Sequence, residues 1–219
     1  MELTNLFIHI PANIAIASLM LGAVLHGQPS IKFMAYPETS TYHIAAGSSL
    51  KLEGKTNINQ FTCGCKQQFA PQEFRAEWSG DKNTLAFTET VLKLKIQTFD
   101  CGNKLMNKDL YKTLNAEANP NISIEIKKAS FYECNPLDAN TGKWVKLKVL
   151  SKITLNGKSN DYWLDIIAQK TASDKFRFIG AKKINMSEFG ITPPSPFMGM
   201  IKVADEIKID IDLNIRVEE

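Results

Sequence analysis

Four cysteines are the residues of this sequence best suited to covalent chemistry, whether as disulfides, metal ligands or a redox centre. Cys63 and Cys65 are separated by one glycine, and Cys101 and Cys134 stand alone. On a strand the thiols of Cys63 and Cys65 leave the same face, where a direct bond between them would be strained. Two connectivities that join this pair to Cys101 and Cys134 therefore stay open, and we favour Cys65–Cys101 with Cys63–Cys134.

A zinc site is the alternative use of these thiols. Zinc knuckles usually have Cys-x2-Cys spacing, whereas this chain has Cys-x-Cys and no second pair at ligand spacing. No metal site is therefore predicted. The histidines add little, because His9 and His26 lie in an N-terminal apolar segment and His43 stands alone. A single histidine without a neighbouring nucleophile is more often hydrogen-bonded or solvated than a general base.

Acidic and nucleophilic motifs give no sign of catalysis. Glu188 and Asp205–Glu206 are typical of loop and turn carboxylates rather than of a catalytic pair. The sequence contains neither a glycine-rich phosphate loop nor a serine nucleophile elbow. We therefore predict a protein that is not an enzyme and has no catalytic residues.

The overall composition is that of one compact globular domain. The 219 residues include 26 Lys and Arg against 23 Asp and Glu, a net charge of +3, and 44% are hydrophobic. This balance excludes intrinsic disorder for most of the chain. Basic residues are scattered among acidic ones, which excludes a nucleic-acid-binding protein.

An uncharged, mostly apolar run extends from Ile14 to Leu25. As a helix it would span about 18 Å, which is too short for a bilayer core of about 30 Å. Residues 1–27 are therefore predicted to be a signal peptide, cleaved after Gly27, and residues 28–39 an N-terminal extension. The absence of Lys and Arg before the run argues against export and leaves a buried N-terminal helix as the alternative. Export implies a periplasmic or secreted protein with no transmembrane segment in the mature chain.

The dominant pattern from about Ser40 onward is an apolar residue at every second position, which is typical of half-exposed antiparallel strands. The clearest run is Ile207–Val217, where six apolar residues alternate with five polar ones. Val145–Leu155 repeats the pattern and is followed by Asn156–Gly157, a typical hairpin turn. The sequence therefore predicts a meander of antiparallel strands.

One segment, at about 104–117, is predicted to be a helix. Met106 and Leu110 are spaced by four, Asn103 can cap the start, and Pro120 prevents continuation. Nine or ten strands with one helix indicate an all-β protein. A single antiparallel barrel covered by the helix, or a strongly curved sandwich, would bury the helix stripe and remove exposed strand edges.

Several short segments carry a family resemblance. They are Tyr42–Ile44, Asn119–Ile124, Ile153–Gly157 and, most specifically, Met186–Pro194 with Met198–Ile207. In these segments and their order the chain resembles the YceI-like family. The resemblance implies a lipocalin-like β-barrel over residues 40–219. It also implies an exported protein that holds a polyisoprenoid or fatty-acid-like amphiphile in its lumen, with this lipid as cargo and no other cofactor.

One departure from the family concerns the polar end of the ligand. Family members often have an Asp and a His just after the first strand, where this chain has Ala45–Ser49. A polar contact from that histidine is therefore not expected at this position.

The candidate ligand-binding residues are the inward apolar side chains of the strands, with two helix residues able to close one end. They are Leu94, Ile96, Ile124, Leu147, Val149, Ile153, Ile166, Phe178, Ile209, Ile211 and Leu213, with Met106 and Leu110 from the helix. A barrel of eight strands either holds a ligand or is filled by its own side chains. An interaction module with a filled core, using the Lys-rich faces at 93–95 and 146–152, therefore stays open. An enzyme on a lipocalin-like barrel also stays open as an alternative. The choice between a monomer and a homodimer stays open as well.

The loop 191–200 is unusually apolar and contains three prolines. Phe197, Met198 and Met200 are expected to form a lip at the barrel mouth and to touch the ligand, because methionine adapts to irregular chains. Packing of this loop on the outer sheet is the alternative.

Overall fold

The computed structural model describes residues 36–80, 83–132, 142–196 and 198–218. Twelve strands and one helix lie in these residues. They are β1 (Tyr36–Ile44), β2 (Ser49–Thr56), β3 (Gln60–Cys65), β4 (Gln72–Trp78), β5 (Thr84–Thr88), β6 (Val91–Lys95), β7 (Phe99–Asp100), α1 (Lys104–Thr113), β8 (Asn121–Phe131), β9 (Trp144–Leu155), β10 (Lys158–Lys170), β11 (Lys175–Asn185) and β12 (Val203–Glu218). The prediction of an all-β protein with one helix is confirmed.

The predicted signal peptide, residues 1–27, lies outside the described residues. So does most of the predicted extension, because the description begins at Tyr36. Strand β1 starts at that residue, four positions before the predicted start of the barrel.

Eight strands form a closed ring of hydrogen-bonded neighbours. Their order is β1-β4-β5-β8-β9-β10-β11-β12, and β12 pairs with β1 to complete the circle. Every pairing in the ring is antiparallel. A closed ring has no exposed edges. The predicted single antiparallel, lipocalin-like barrel is confirmed in this form.

The hairpin of β9 and β10 shows how local sequence sets the register of the ring. Asn156 and Gly157 both have positive φ angles, 51° and 72°, as the preferred two-residue hairpin turn requires. Pairing then continues from Lys158 with Leu155 to Gln169 with Trp144. The odd-numbered residues of β9 are consequently the buried ones.

Strands β8 and β12 each pair along one edge with two successive partners, which divides the barrel into two halves. The first part of β8 pairs with β6 and the last part with β5. Likewise the first part of β12 pairs with β2 and the last part with β1. We call the half containing β2, β3, β6, β7 and α1 the helix half, and the half containing β1, β4 and β5 the cavity half.

Helix α1 begins at an Asn103 cap, whose side chain accepts hydrogen bonds from the backbone N–H groups of Leu105 and Met106. The helix proper ends at Thr113, four residues earlier than predicted. Asn115 adopts a left-handed conformation, with φ 54°, which an α-helix cannot contain. The chain continues through Ala118 as turns.

The buried side chains form two clusters. One fills the helix half and includes Leu94, Ile96, Phe99, Leu114 and Phe189, each at most 1% exposed. The other lies in the cavity half and is built around Phe74, Leu85 and Phe176. The inward-facing apolar residues of the barrel therefore lie in two different surroundings, one in the helix half and one in the cavity half.

A disulfide joins Cys63 to Cys101. The predicted bonds Cys65–Cys101 and Cys63–Cys134 are wrong, because the register of β3 and β7 pairs Gly64 with Asp100 and Cys65 with Phe99. The next residues in this register are Cys63 and Cys101. Cys65 is a free thiol whose Sγ lies 3.6 Å from Thr98 Oγ1, and Cys134 lies outside the described residues.

Candidate ligand-binding site

A cavity of about 210 Å³ lies inside the cavity half of the barrel. All eight strands of the ring contribute side chains to its wall, so the closed pairing of the sheet positions the site. The wall consists of Tyr42, Ile44, Phe74, Ala76, Leu85, Phe87, Thr90, Leu92, Ile124, Ile126, Ala129, Phe131, Leu147, Val149, Ser151, Leu164, Ile166, Phe178, Ile211, Leu213, Ile215 and Val217. None of these side chains carries a charge.

Seven of the predicted ligand-binding residues lie on this wall. They are Ile124, Leu147, Val149, Ile166, Phe178, Ile211 and Leu213. The structure therefore brings together residues from β8 to β12 that the alternating pattern placed on the inner face. Their contact with a ligand stays a prediction.

Six other predicted residues lie away from the cavity. Leu94, Ile96, Ile153 and Ile209 are buried in the cluster of the helix half, and Leu110 packs against that cluster from α1. Met106 is partly exposed on the same helix. Apart from Met106, these side chains fill the helix half instead of leaving a lumen there.

The two described lip residues, Met198 and Met200, do not line the cavity either. Met198 is fully exposed and Met200 is 72% exposed, and Phe197 lies outside the described residues. The Asn57 side chain anchors this loop by donating to the carbonyl of Met200 and accepting from the N–H of Lys202. Because Lys202 immediately precedes β12, the loop lies at the helix-half end of that strand.

Sequence reasoning missed wall residues on short and long strands alike. They are Tyr42, Ile44, Phe74, Ala76, Leu85, Phe87, Thr90, Leu92, Ile126, Ala129, Phe131, Ser151, Leu164, Ile215 and Val217. Many continue the same alternation, and β1, β4 and β5 offer only two wall residues each. The small or polar ones, such as Ala129 and Ser151, carry no apolar signal for a core position.

The cavity volume sets a limit on what it can hold. A dry apolar cavity of about 150 Å³ accommodates benzene. On the same scale about 210 Å³ accommodates roughly eight carbon atoms. Such a site is large enough for the end of a hydrocarbon chain.

Three hydroxyl-bearing side chains interrupt the apolar wall. Thr90 donates to the carbonyl of Thr88 at 3.2 Å. The ring of Tyr42 packs edge-on against Phe74, and burial raises the pKa of its phenol to about 12, so Tyr42 stays un-ionised at neutral pH. Ser151 is 2% exposed and lines the cavity, and no hydrogen bond joins its hydroxyl to another of the described residues.

The titratable residues considered for catalysis lie in other surroundings. His43 Nε2 lies 3.0 Å from Glu218 Oε2, and this hydrogen bond lowers the pKa of the Glu218 carboxyl. Glu188 accepts a hydrogen bond from the Tyr162 hydroxyl, whose pKa is raised by burial and by this carboxylate. Asp205 accepts from the backbone N–H of Ser187 at 2.8 Å. These contacts hold strands and turns together outside the cavity.

The described part of the chain offers neither a metal site nor a membrane-spanning helix. No group of three or more His, Cys, Asp or Glu side chains is arranged to hold a metal ion. No helix there has the length and apolar character needed to cross a membrane.

A ring of eight antiparallel strands around an apolar cavity, with one helix packed at its other half, defines a lipocalin-like binding fold. More specifically, the chain belongs to the YceI-like domain family, which it matches over residues 34–215. The family named from the sequence is thereby confirmed.

Solved structures with the same fold are distant in sequence. A polyisoprenoid binding domain from Saccharophagus degradans, implicated in plant cell wall breakdown, is 8% identical with a TM-score of 0.60, covering 83% of this chain and all of that domain. BcnA from Burkholderia cenocepacia is 18% identical with a TM-score of 0.55, covering 78% of this chain and 98% of that protein. No curated protein matches this sequence. These similarities concern the fold.

Proposed function

We propose that this protein binds and carries an apolar molecule in the cavity of its barrel without converting it. The observation that carries the proposal is the apolar cavity of about 210 Å³, whose wall has no charged side chain. Each buried CH2 group contributes about 0.8 kcal/mol, so eight carbons contribute about 6 kcal/mol before the costs of association. Burial of the chain end therefore needs no charged anchor.

We further propose a polyisoprenoid or a fatty-acid-like amphiphile as the cargo. Membership of the YceI-like family and the likeness of the fold to a polyisoprenoid binding domain support this choice. From the cavity volume, we expect about eight carbons of such a molecule to lie inside the ring. The rest of a longer chain would extend beyond the cavity.

Export to the periplasm or the medium is part of the same proposal. The Cys63–Cys101 disulfide supports it, because structural disulfides persist mainly in oxidising compartments. The N-terminal apolar run supports it as well. Mass spectrometry of the exported protein tests cleavage after Gly27, and light scattering distinguishes a monomer from the homodimer left open by the sequence.

An interaction module with a filled core is the second candidate function. The packed cluster of the helix half favours it for that part of the barrel. The cavity distinguishes the two functions, because an interaction module with a filled core does not need an unfilled cavity inside the barrel.

The decisive experiment combines lipid extraction with binding of a long-chain probe. Protein purified from the exported fraction is extracted with organic solvent and analysed for lipid, and a fluorescent fatty-acid probe is titrated into the delipidated protein. Ala129→Phe fills the cavity and should weaken probe binding at least tenfold. Ala181→Phe, on the exposed outer face of β11, is the matched control and should leave it unchanged. Absence of both co-purified lipid and probe binding would contradict the carrier function.

A further inference from the structure

Ser151 interrupts a line of apolar side chains on the inner face of β9. Val149 before it belongs to the cluster of the cavity half, and Ile153 after it belongs to the packed cluster of the helix half. Ser151 is also on the cavity wall. It therefore lies at the inner end of the cavity, where the packed interior begins.

Within the described part of the chain, the neighbours of Ser151 offer its hydroxyl no hydrogen bond. Ile126 lies opposite it across β8 and β9. Thr90 is adjacent to Ile126, since the N–H of Ile126 donates to the Thr90 carbonyl at 2.9 Å, and the Thr90 hydroxyl already donates to Thr88. On the other side, Tyr162 lies opposite Ser151 across β9 and β10, and its hydroxyl already donates to Glu188. Leu92 and Ile124 also line this end of the cavity.

A buried hydroxyl without a partner destabilises a folded protein, whereas an alanine at the same place would not. Serine at position 151 therefore points to a partner that enters the cavity. Nothing on the wall could neutralise a charged partner, and an ionised group buried alone in apolar surroundings is strongly disfavoured. The partner must be neutral.

We propose that Ser151 hydrogen-bonds a neutral oxygen at the end of the cargo that lies deepest in the cavity. The cargo then carries a hydroxyl or carbonyl group at that end and enters with it first, while its hydrocarbon part lies along the apolar wall. This inference rests on the proposed function, since it specifies the chemistry and orientation of a molecule in the same cavity.

The test measures the binding of two small probes to two proteins, as in a double-mutant cycle. Comparing the four affinities separates the hydrogen bond to Ser151 from the free energy of transferring each probe out of water. Benzyl alcohol and ethylbenzene each have eight non-hydrogen atoms and differ by a hydroxyl in place of a methyl group. Their dissociation constants are measured by NMR titration with the full chain and with Ser151→Ala. Shifts of the methyl resonances of Val149 and Ile124 show whether each probe occupies the cavity.

Ser151→Ala should weaken benzyl alcohol binding about fivefold relative to ethylbenzene, as expected for one neutral hydrogen bond. One control should leave this ratio unchanged: Ser123→Ala removes a hydroxyl from the outer face of β8. Without ligand, Ser151→Ala should be at least as stable as the unmodified protein.

Other outcomes overturn the inference and separate it from the proposed function. Equal effects of Ser151→Ala on both probes would remove Ser151 as the partner while leaving a working apolar site. Benzoate binding as tightly as benzyl alcohol at neutral pH would contradict a neutral group. Failure of both probes and of the long-chain probe to bind the unmodified protein would contradict the carrier function itself.

Discussion

Cys63 faces Cys101 directly across β3 and β7, with their Cα atoms 3.9 Å apart and a disulfide between them. Strand β7 has only two residues and makes two ladder pairs with β3. The bridge therefore holds a short edge strand that hydrogen bonds alone would hold weakly. Because β7 leads directly into the Asn103 cap, the bridge also holds the start of α1 against the barrel.

Removal of this disulfide should destabilise the protein. The two cysteines are 38 residues apart, and in the chain-entropy account a loop of that size corresponds to about 4 kcal/mol. Cys101→Ala should lower the free energy of unfolding, measured in urea, by about this amount. Reduction of the unmodified protein should have a similar effect.

Cys65→Ala is the matched control for the disulfide prediction. Cys65 lies on the same face of β3 but is a free thiol, so its replacement should cost well under 1 kcal/mol. If Cys65→Ala and Cys101→Ala were equally destabilising, or if a trapped peptide contained Cys65–Cys101, the pairing described above would be wrong.

The strands of the barrel were predictable where the apolar alternation is long. The runs in β9 and β12 contain enough alternating positions to define both the strand and its inward face. Strands β5 and β7 have five and two residues, and so few positions define no period. The disulfide pairing depends on the register of β7 against β3. The spacing of the cysteines in the sequence therefore could not show which cysteine bonds to Cys101.

The division into a cavity and a packed half was not predictable from the same pattern. Val149 and Ile153 both point inward from β9, yet Val149 lines the cavity and Ile153 is buried among other side chains. Alternation reports which face is buried, not whether the space in front of it is filled. Whether that space is filled depends on side chains from elsewhere in the chain, such as Leu114 after α1 and Phe189, which belong to the packed cluster of the helix half.

Two alanines should reveal this difference in packing. Ala129 lines the cavity, whereas Ala116 is buried in the packed cluster. Ala129→Leu should change the free energy of unfolding by less than about 1 kcal/mol, because the added carbons enter existing space. Ala116→Leu should lower it by about 1–3 kcal/mol, because overpacking forces neighbours apart.

Urea unfolding of both variants checks this contrast. The far-ultraviolet circular dichroism of each folded variant should match that of the unmodified protein, so that the comparison concerns packing alone. Equal costs at the two positions would mean that the cavity half is as tightly filled as the helix half.

The ion pair of Arg177 and Asp212 should make stability depend on pH. Arg177 donates from Nε to Oδ1 at 2.8 Å and from Nη2 to Oδ2 at 2.7 Å, and these bonds hold the pKa of the Asp212 carboxyl below its usual value near 4. A lowered pKa in the folded state stabilises the protein at neutral pH. The stabilisation declines as the pH falls below about 4 and is lost once the folded carboxyl is protonated.

Asp212→Asn removes this contribution. The pair is partly exposed, with 41% of the Arg177 side chain and 32% of the Asp212 side chain accessible, so solvent screening limits it to about 0.5–1 kcal/mol. Urea unfolding from pH 7 to pH 2 should show the full difference between the two proteins at pH 7 and almost none at pH 2. Arg177→Gln combined with Asp212→Asn should add little to the single change, because both remove the same pair. A difference that grows as the pH falls would mean that Asp212 stabilises the fold in its protonated form, contrary to the geometry of this pair.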